Sequence, residues 1–213
     1  MPILVQEDKT VLFVHVPKCG GSSFLKNMRR RGWEELLSIR GIHIEKLGFL
    51  KCTPQHMHVD LLRSILNPKD FDHIVTIVRN PFERMKSEYA WQRKQSITDL
   101  DPEEWIDHVI MEFEENQFIY DNHIRPQNEF ILQQSEVYKL EKDGVMRAIE
   151  SVSSHYSQRS LISYITEKIP GSKLKKTTKS YNIEKVFERH RSKIQDFYAK
   201  DYIELSYSKS REY

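Results

Sequence analysis

Two short apolar runs mark the buried strands of this chain. Residues 11–16 read VLFVHV and residues 73–78 read HIVTIV, and β-branched side chains are frequent in both. Apolar runs without polar alternation are typical of strands that are buried on both faces, as in a parallel sheet. A weaker third strand is predicted over residues 137–140.

Helical periodicity occupies most of the remaining chain. Asp101 and Pro102 offer a capping carboxylate and a proline at the first helical position, so a helix should begin near Pro102. Asn182 offers a similar cap to the last helix. Strands that alternate with helices predict an α/β fold in which helices cover a small parallel sheet. The predicted helices span residues 22–31, 59–66, 82–95, 102–118, 123–134, 144–156 and 183–199.

The composition fits a single domain over residues 1–213. The 33 basic and 31 acidic residues give a net charge of +2, which argues against a nucleic-acid-binding protein. No apolar run is long enough to span a bilayer and no signal peptide is legible, so we expect a soluble, cytoplasmic protein. We expect both cysteines, Cys19 and Cys52, to be reduced. No pattern specifies an oligomeric state.

A candidate anion-binding loop follows the first strand. Residues 17–23 read PKCGGSS and lead into a predicted helix. Gly20 and Gly21 allow close approach to the backbone, the helix start offers free N–H groups, Lys18 adds positive charge, and Ser22 and Ser23 add hydroxyl groups. This is not a Walker A loop, because the lysine precedes the glycines. The alternative interpretation is an ordinary strand-to-helix turn in which the glycines serve packing.

A second candidate anion site follows the strand at residues 73–78. Arg79 ends that strand, and Ser87 lies about two helical turns further on. An arginine can bind phosphate through two parallel hydrogen bonds. Both candidate sites lie at carboxyl ends of strands, where open α/β sheets bind ligands, so one nucleotide with two anionic groups would occupy both. We interpret Arg84 as a structural residue that pairs with a carboxylate.

Together these motifs resemble the carbohydrate sulfotransferases related to heparan sulfate 2-O- and 6-O-sulfotransferases. Residues 17–23 resemble the 5′-phosphosulfate loop of that family, PK[TC]GG[TS]S, and residues 78–89 resemble its 3′-phosphate segment, VR[DN]PxxRxxSxY. The resemblance is clearest over residues 10–92 and looser beyond, where residues 198–207 resemble a closing aromatic stretch. It implies a P-loop-like α/β fold, the donor 3′-phosphoadenosine 5′-phosphosulfate, the product 3′,5′-bisphosphoadenosine, and no metal.

The resemblance also assigns roles to the residues of the two anion motifs. Lys18 would hold the phosphosulfate and stabilise charge on the departing phosphate, and Arg79 and Ser87 would bind the 3′-phosphate. A late basic loop would close over the donor. The remaining donor-binding residues implied are Pro17, Cys19, Gly20, Gly21, Ser22 and Ser23 of the first loop and Lys176, Thr177, Thr178 and Lys179 of the late loop. Within the first loop, the helix start and Lys18 should lower the pKa of Cys19.

Histidines between the two motifs are the candidates for proton transfer. Residues 56–59, HMHV, resemble a segment of the 2-O-sulfotransferases in which the second histidine is the base and the first assists. His58 is therefore the expected catalytic base and His56 its assistant, with His43 as an alternative. A metal bound by His56 and His58 is conceivable, but no third ligand is evident and none is expected. His15 is interpreted as a satisfied core residue.

A polar segment near the middle of the chain is a candidate for acceptor contacts. His123, Arg125 and Gln127 lie together in it, and similar stretches occur in bacterial members of the resembled family. The alternative interpretation is a polar helix start.

The sequence therefore predicts a sulfotransferase that transfers a sulfuryl group from the phosphosulfate donor to a hydroxylated acceptor, with a carbohydrate expected. A non-catalytic nucleotide-binding protein and a P-loop kinase are the alternatives. The lack of GxxxxGK[ST] and of a magnesium-binding aspartate argues against the kinase, and His56 and His58 argue against the non-catalytic protein. Animal Golgi members usually carry a membrane anchor and lumenal disulfides, so a compact bacterial enzyme is the better expectation.

Overall fold

The computed structural model describes residues 1–39, 42, 44–156 and 183–210, and one sheet of five strands lies at its centre. The strand order is β3-β1-β2-β4-β5. β2 pairs in parallel with β4, and β4 with β5, whereas β1 is antiparallel to both β2 and β3. The sheet is therefore mixed and not purely parallel. The strands are β1 (Ile3–Gln6), β2 (Lys9–Val14), β3 (Glu34–Leu36), β4 (His73–Val78) and β5 (Glu136–Lys139).

The three predicted strands are confirmed and form the parallel part of the sheet. β4 has the predicted bounds, β2 ends two residues earlier than the predicted strand, and β5 is shifted by one residue. All six residues of β4 are buried, as expected for a central parallel strand. β1 and β3 were not predicted, because the apolar run of β1 is only three residues long and β3 has a single apolar residue.

Helices cover the sheet and form two apolar cores. α1 and α6 pack against each other, α6 contacts β4 and β5, and their side chains enclose a core that contains Phe13 and Phe24. A second core lies among α3, α4 and the last three helices around Trp105 and Phe187. The helices are α1 (Gly21–Arg30), α2 (Val59–Arg63), α3 (Pro81–Gln95), α4 (Pro102–Glu115), α5 (Ile119–Asn122), α6 (Gly144–Tyr156), α7 (Ile183–Arg189), α8 (Arg191–Phe197) and α9 (Ala199–Glu204).

The predicted start of a helix at Pro102 is confirmed. The Asp101 carboxylate accepts the backbone N–H groups of Glu103 and Glu104 at 3.0 and 2.9 Å. These are N–H groups that have no partner within the helix itself. The local sequence therefore determines where α4 begins.

The predicted helix over residues 123–134 is wrong. Pro126 has no N–H group and disfavours helical backbone at the residue before it. The chain forms only a 3-10 turn, Gln127–Phe130. The N–H groups of Gln127 and Asn128 donate to the carboxylate of Asp201 at 2.9 and 2.8 Å. A side chain from α9 thus satisfies backbone groups that helical hydrogen bonds would otherwise engage.

The C-terminal helices hold this segment in place. The single helix predicted over residues 183–199 is divided into α7 and α8, and α9 follows. Tyr198, between α8 and α9, is buried, and its hydroxyl donates to the carbonyl of Ile124 at 2.8 Å. Asp201 and Tyr198 therefore fix the chain that crosses the carboxyl ends of the parallel strands.

Part of the sequence-based prediction concerns residues that the structure does not describe. His43, Lys176, Thr177, Thr178, Lys179 and Asn182 lie outside the described residues. Over the part of the chain that is described, we find no helix with the length and apolar character needed to cross a bilayer.

We predict that Asp201→Asn lowers the free energy of unfolding by about 2 kcal/mol, because an amide NH₂ would face backbone donors and leave one unpaired. Asp196→Asn is the matched control, since Asp196 is exposed on α8 and should change stability by less than about 0.5 kcal/mol. Urea denaturation measures both variants. Equal unfolding midpoints for the two would contradict the role given to Asp201.

Candidate active site

The loop after β2 enters α1 through two residues with left-handed backbone. φ is 67° at Lys18 and 85° at Gly20, the residue that caps α1. The Gly20 carbonyl accepts the N–H of Ser23 at 3.0 Å. Gly20, Gly21, Ser22 and Ser23 line a cleft with a volume of about 620 Å³. The start of a helix favours bound anions, so this end of the cleft suits a phosphate or sulfate group.

His15 lies just beyond β2 and lines the same cleft. Its ring packs so closely under α1 that a Cβ atom on Gly21 would lie 2.1 Å from its Nε2 atom. The glycine at position 21 is therefore required by this contact. Burial holds the pKa of His15 well below its usual value. His15 is buried as expected, but Nδ1 has no hydrogen-bond partner among the described residues.

Lys18 supplies positive charge to the cleft. Its Nζ atom lies 4.8 Å from the centroid of the Trp91 ring. Burial lowers the pKa of Lys18 to about 8; Glu88 acts to raise it, while Arg79 and Arg84 act to lower it further. A bound anion would favour the protonated form and offset the cost of burying this charge. Lys18 is thus well placed to bind an anionic ligand.

Cys19 does not belong to the cleft. It is buried, it is not among the residues that line the cleft, and its thiol donates to Oε1 of Gln127 at 3.3 Å. Burial raises its pKa to about 12. The predicted lowering of this pKa is wrong, because desolvation outweighs the effect of nearby positive charge.

The end of β4 brings a second positive group close to the first loop. Ser87 lines the cleft, whereas Arg79 is not among the lining residues. The Arg79 side chain lies 4.0 Å from the Glu83 carboxylate. Arg79 is near enough to Lys18 to act on its pKa. The two strand ends therefore concentrate positive charge in one place. Binding of a phosphate by Arg79 and Ser87 remains a prediction.

Gln127 joins these two strand ends. Its side chain is buried, and Oε1 accepts both the N–H of Arg79 at 2.9 Å and the thiol of Cys19 at 3.3 Å. Its Nε2 atom donates to the Arg79 carbonyl at 2.8 Å. Gln127 was expected to face the acceptor. This placement argues against that expectation and makes Gln127 a clamp between two loops.

Two buried arginines also have structural positions. Arg84 donates from Nε to the carbonyl of Pro17 at 3.0 Å and from a terminal nitrogen to the carbonyl of His123 at 2.8 Å. It therefore has a structural role, as expected, but it joins two loops, and among the described residues it has no carboxylate partner of the kind predicted. Arg125 donates to the side-chain oxygen of Asn122 at 3.0 Å and does not line the cleft. Its burial argues against the predicted contact with the acceptor.

His56 and Asp121 form a histidine–carboxylate pair in the cleft. Nδ1 of His56 lies 2.7 Å from Asp121, whose carboxylate also accepts the N–H and hydroxyl of Thr53 at 2.5 and 2.6 Å. Burial acts to raise the pKa of Asp121, but these hydrogen bonds outweigh burial and lower it. Burial lowers the pKa of His56 to about 4. At neutral pH, His56 therefore has a proton on Nδ1 and a free electron pair on Nε2.

An unusual backbone turn brings Asp121 to His56. Within the short element α5, φ is 47° at Tyr120, 59° at Asp121 and 63° at Asn122, so these residues do not have right-handed α-helical backbone. Residues other than glycine adopt this conformation at a cost of about 1–2 kcal/mol each. The side-chain amide of Asn122 donates to the His56 carbonyl at 2.8 Å. Thr53, three residues before His56, donates to the Asp121 carboxylate. These hydrogen bonds offset the strain and fix the carboxylate against the imidazole.

His123 and Glu88 form a second such pair. Nδ1 of His123 lies 2.8 Å from Glu88, which is 1% exposed. Glu88 also accepts from the Gln92 amide at 2.9 Å, and Gln92 accepts from the indole of Trp105 at 2.9 Å. Burial acts to raise the pKa of Glu88, but His123, Lys18 and the Gln92 hydrogen bond together outweigh it and the pKa is lowered. The rings of His123 and His56 lie 4.9 Å apart, centroid to centroid.

His58, the predicted base, does not line this cleft. It lies directly before α2, and its ring centroid is 5.6 Å from that of Phe118. Its Nδ1 atom is buried without a hydrogen-bond partner in the described part of the chain. The geometry therefore favours His56 over His58 for proton transfer, the reverse of the order expected from the sequence.

The described part of the structure contains a group of three potential metal ligands that differs from the His56 and His58 pair weighed in the sequence analysis. His56, Asp121 and His123 each offer one ligand atom, and these atoms lie within 4.8 Å of one another. Asp121, however, already accepts hydrogen bonds from His56 and Thr53. Such a hydrogen-bonded carboxylate suits the orientation of an imidazole for proton transfer.

Apolar side chains form the remaining wall of the cleft. Among the lining residues that are described, Lys18 is the only lysine or arginine. The cleft therefore combines a charged, hydrogen-bonding end with an apolar side. The residues of this apolar wall are Ile39, Ile42, Leu47, Trp91, Ile97 and Tyr120.

Asp121 and Glu88 are the site residues that the sequence interpretation missed. Asp121 lies in the run Tyr-Asp-Asn-His at residues 120–123, and aspartate and asparagine are among the residues that tolerate left-handed backbone. That run was a usable signal for a turn. Glu88 lies inside a helical pattern, and nothing in its immediate sequence distinguishes it from a solvent-facing carboxylate.

Comparison with known proteins identifies one match. A family model described as the sulfotransferase family matches residues 1–208. A search of curated proteins and a search of solved structures gave no significant match. The matched range includes both strand ends and every residue of the cleft named above.

We predict that Cys19 and Cys52 both resist alkylation by iodoacetamide at pH 8 in the folded protein and react once it is unfolded. Both thiols are buried, and burial raises the pKa of Cys52 to about 11, so little thiolate is present at either position. Mass spectrometry of peptides from native and urea-treated samples measures the labelling. Rapid native labelling of Cys19 would restore the activated thiol expected from the sequence.

Proposed function

Because the chain belongs to the sulfotransferase family, we propose that it transfers a sulfuryl group from 3′-phosphoadenosine 5′-phosphosulfate to a hydroxyl group of a carbohydrate. One observation carries this proposal. The anion-binding end of the cleft, with Lys18 and the start of α1, adjoins a neutral imidazole, His56, that Asp121 holds in place. Sulfuryl transfer requires both an anion site and a proton acceptor near it.

The residues of the cleft fit the two anionic ends of the donor. Lys18 is half-buried and gains from a bound anion, and the residues at the start of α1 line the cleft beside it. In the proposal, these groups bind the phosphosulfate, and Arg79 and Ser87 bind the 3′-phosphate. Resemblance alone adds Lys176, Thr177, Thr178 and Lys179 of the late basic loop.

Each step of the transfer then has a residue to support it. A bond forms between sulfur and the acceptor oxygen, the bond between sulfur and the 5′-phosphate oxygen breaks, and the acceptor hydroxyl loses its proton. Nε2 of His56 takes that proton while Asp121 stabilises the resulting imidazolium. Lys18 and the N–H groups at the start of α1 stabilise the charge on the departing phosphate.

Within the family, the order and spacing of the two anion motifs support a relation to the heparan sulfate 2-O- and 6-O-sulfotransferases. The apolar wall beside the charged end, with the aromatic rings of Trp91 and Tyr120, suits stacking against the face of a sugar ring. We propose a compact, bacterial-type enzyme of this kind.

We predict that 3′,5′-bisphosphoadenosine raises the melting temperature more than AMP or ATP does, because only it supplies anions to both strand ends. Arg79→Ala should weaken its binding roughly 10- to 100-fold, the loss of a charge-assisted hydrogen bond, and leave AMP binding nearly unchanged. Arg93→Ala is the control, since Arg93 is an exposed arginine on α3, the helix that follows Arg79. Calorimetric titration measures each affinity. Equal stabilisation by ATP and the bisphosphate would refute the donor assignment.

We predict that His56→Ala lowers kcat by roughly 10²- to 10⁴-fold without weakening donor binding, as expected for loss of a general base. His58→Ala, outside the cleft, should have a much smaller effect. A rate assay with saturating donor measures both. The opposite ranking would return the catalytic role to His58.

The pH dependence of kcat/KM gives a second test of the same assignment. His56 must be neutral to accept a proton, so activity should fall as the pH drops through about 4. Lys18 must be protonated to bind an anion, so activity should also fall as the pH rises through about 8. An acidic limb near pH 6.5, the ordinary value for histidine, would contradict a buried His56 as the base.

A further inference from the structure

The proposed function uses one of two matched histidine–carboxylate pairs. His56 with Asp121 and His123 with Glu88 have Nδ1-to-carboxylate distances of 2.7 and 2.8 Å, and both imidazoles line the same cleft. The mechanism above leaves the second pair without a role. Glu88 is nevertheless only 1% exposed. Burying a carboxylate costs free energy unless other groups pair and hydrogen-bond with it, as His123 does here.

The carboxylates determine which nitrogen of each ring is free. An ionised carboxylate can only accept hydrogen bonds, so the Nδ1 atom that faces it must carry a proton. In a neutral imidazole the Nε2 atom, on the other side of the ring, then has the electron pair. In their neutral forms, His56 and His123 therefore both present a hydrogen-bond acceptor on Nε2, from rings whose centroids are 4.9 Å apart.

Counting donors shows what these two nitrogens require from a ligand. A single hydroxyl group has one proton and can donate it to one nitrogen only. An acceptor with one hydroxyl group would leave the other imidazole nitrogen buried and unpaired, and such a group costs free energy. Two hydroxyl groups on adjacent carbon atoms would satisfy both nitrogens.

We propose that His123, held by Glu88, is a specificity-determining residue that accepts a hydrogen bond from a second hydroxyl group adjacent to the one that is sulfated. The acceptor is therefore a vicinal diol, such as a sugar ring with two free neighbouring hydroxyl groups. This inference rests on the proposed function of the cleft.

The surroundings of His123 support a role in precise positioning. Its carbonyl is held by Arg84, and its carboxylate partner is held by Gln92, which in turn is held by Trp105. Hydrogen bonds therefore fix the imidazole from both its backbone and its ring. A side chain that selects a hydroxyl group by its position must be held in this way, because a hydrogen bond weakens steeply as its distance and angle depart from the ideal values.

Three small acceptors that share one apolar ring test the proposal with the donor at saturation. They are 1,2-cyclohexanediol, 2-methoxycyclohexanol and cyclohexanol. The methoxy compound keeps the size and oxygen of the diol but has no second proton to donate. We expect kcat/KM for the diol to exceed that for either mono-alcohol by roughly tenfold, the effect of one hydrogen bond to a buried acceptor.

Variants of the second pair should remove this preference. His123→Leu should lower kcat/KM for the diol roughly tenfold more than for cyclohexanol, because the accepting nitrogen is lost. Glu88→Gln keeps the shape of the side chain, but an amide can either donate or accept. Nδ1 of His123 then no longer has to carry the proton, so the preference for the diol should fall. Glu104→Gln neutralises an exposed carboxylate on α4 and should leave the preference for the diol at its wild-type value.

The outcomes separate this inference from the proposed function. Equal kcat/KM for the diol and 2-methoxycyclohexanol in the wild-type protein would overturn the inference and leave sulfuryl transfer standing. An equal loss for all three acceptors in His123→Leu would also overturn it, by making His123 a base. Absence of transfer to the diol would overturn the inference alone, because the proposed function is tested separately by binding of 3′,5′-bisphosphoadenosine. Nitrogen-15 NMR of the histidine rings gives an independent readout: His123 should carry its proton on Nδ1, and a proton on Nε2 would refute the geometry.

Discussion

The amide of Gln127 is the interaction on which the arrangement of the cleft depends. One buried side chain binds the backbone at the end of β4 through both its oxygen and its nitrogen, and the same oxygen accepts from Cys19 in the loop after β2. Asp201 holds Gln127 in turn through its backbone N–H. Loops from two neighbouring parallel strands thus keep a fixed separation, and so do the two candidate anion sites that these loops carry.

The clamp adds no net charge to the site. An amide satisfies the donor and the acceptor of the Arg79 backbone at the same time, which neither a carboxylate nor an ammonium group could do. The positive electrostatic potential at this end of the cleft therefore comes from Lys18, Arg79 and the start of α1. Rigidity and charge are supplied by different residues.

The sequence predicts the central parts of this structure because their signals are local. The apolar runs that became β2 and β4, the glycines of the first loop, and the cap at Asp101 each act within a few residues. The parts that it does not predict depend on distant partners. Residues 123–134 are not helical because Pro126 interrupts them and Asp201, far along the chain, binds their backbone. Cys19 is unactivated because the fold buries it. Likewise, the spacing of His56 and His58 cannot show that only His56 meets a carboxylate, since Asp121 reaches it through a turn elsewhere in the sequence.

The apolar wall of the cleft has a different origin from its charged end. Ile39, Ile42 and Leu47 come from the first part of the connection between β3 and α2, and Ile97 follows α3. The candidate anion-binding groups lie at the strand ends, and His56, later in the same connection, is held by Asp121. Substitutions at these four apolar positions would leave His56 and the residues of the strand ends in place. Descendants of a common ancestor could therefore diverge in the molecules they modify while inheriting the same reaction, and a laboratory library confined to the wall would explore that variation with little loss of folded protein.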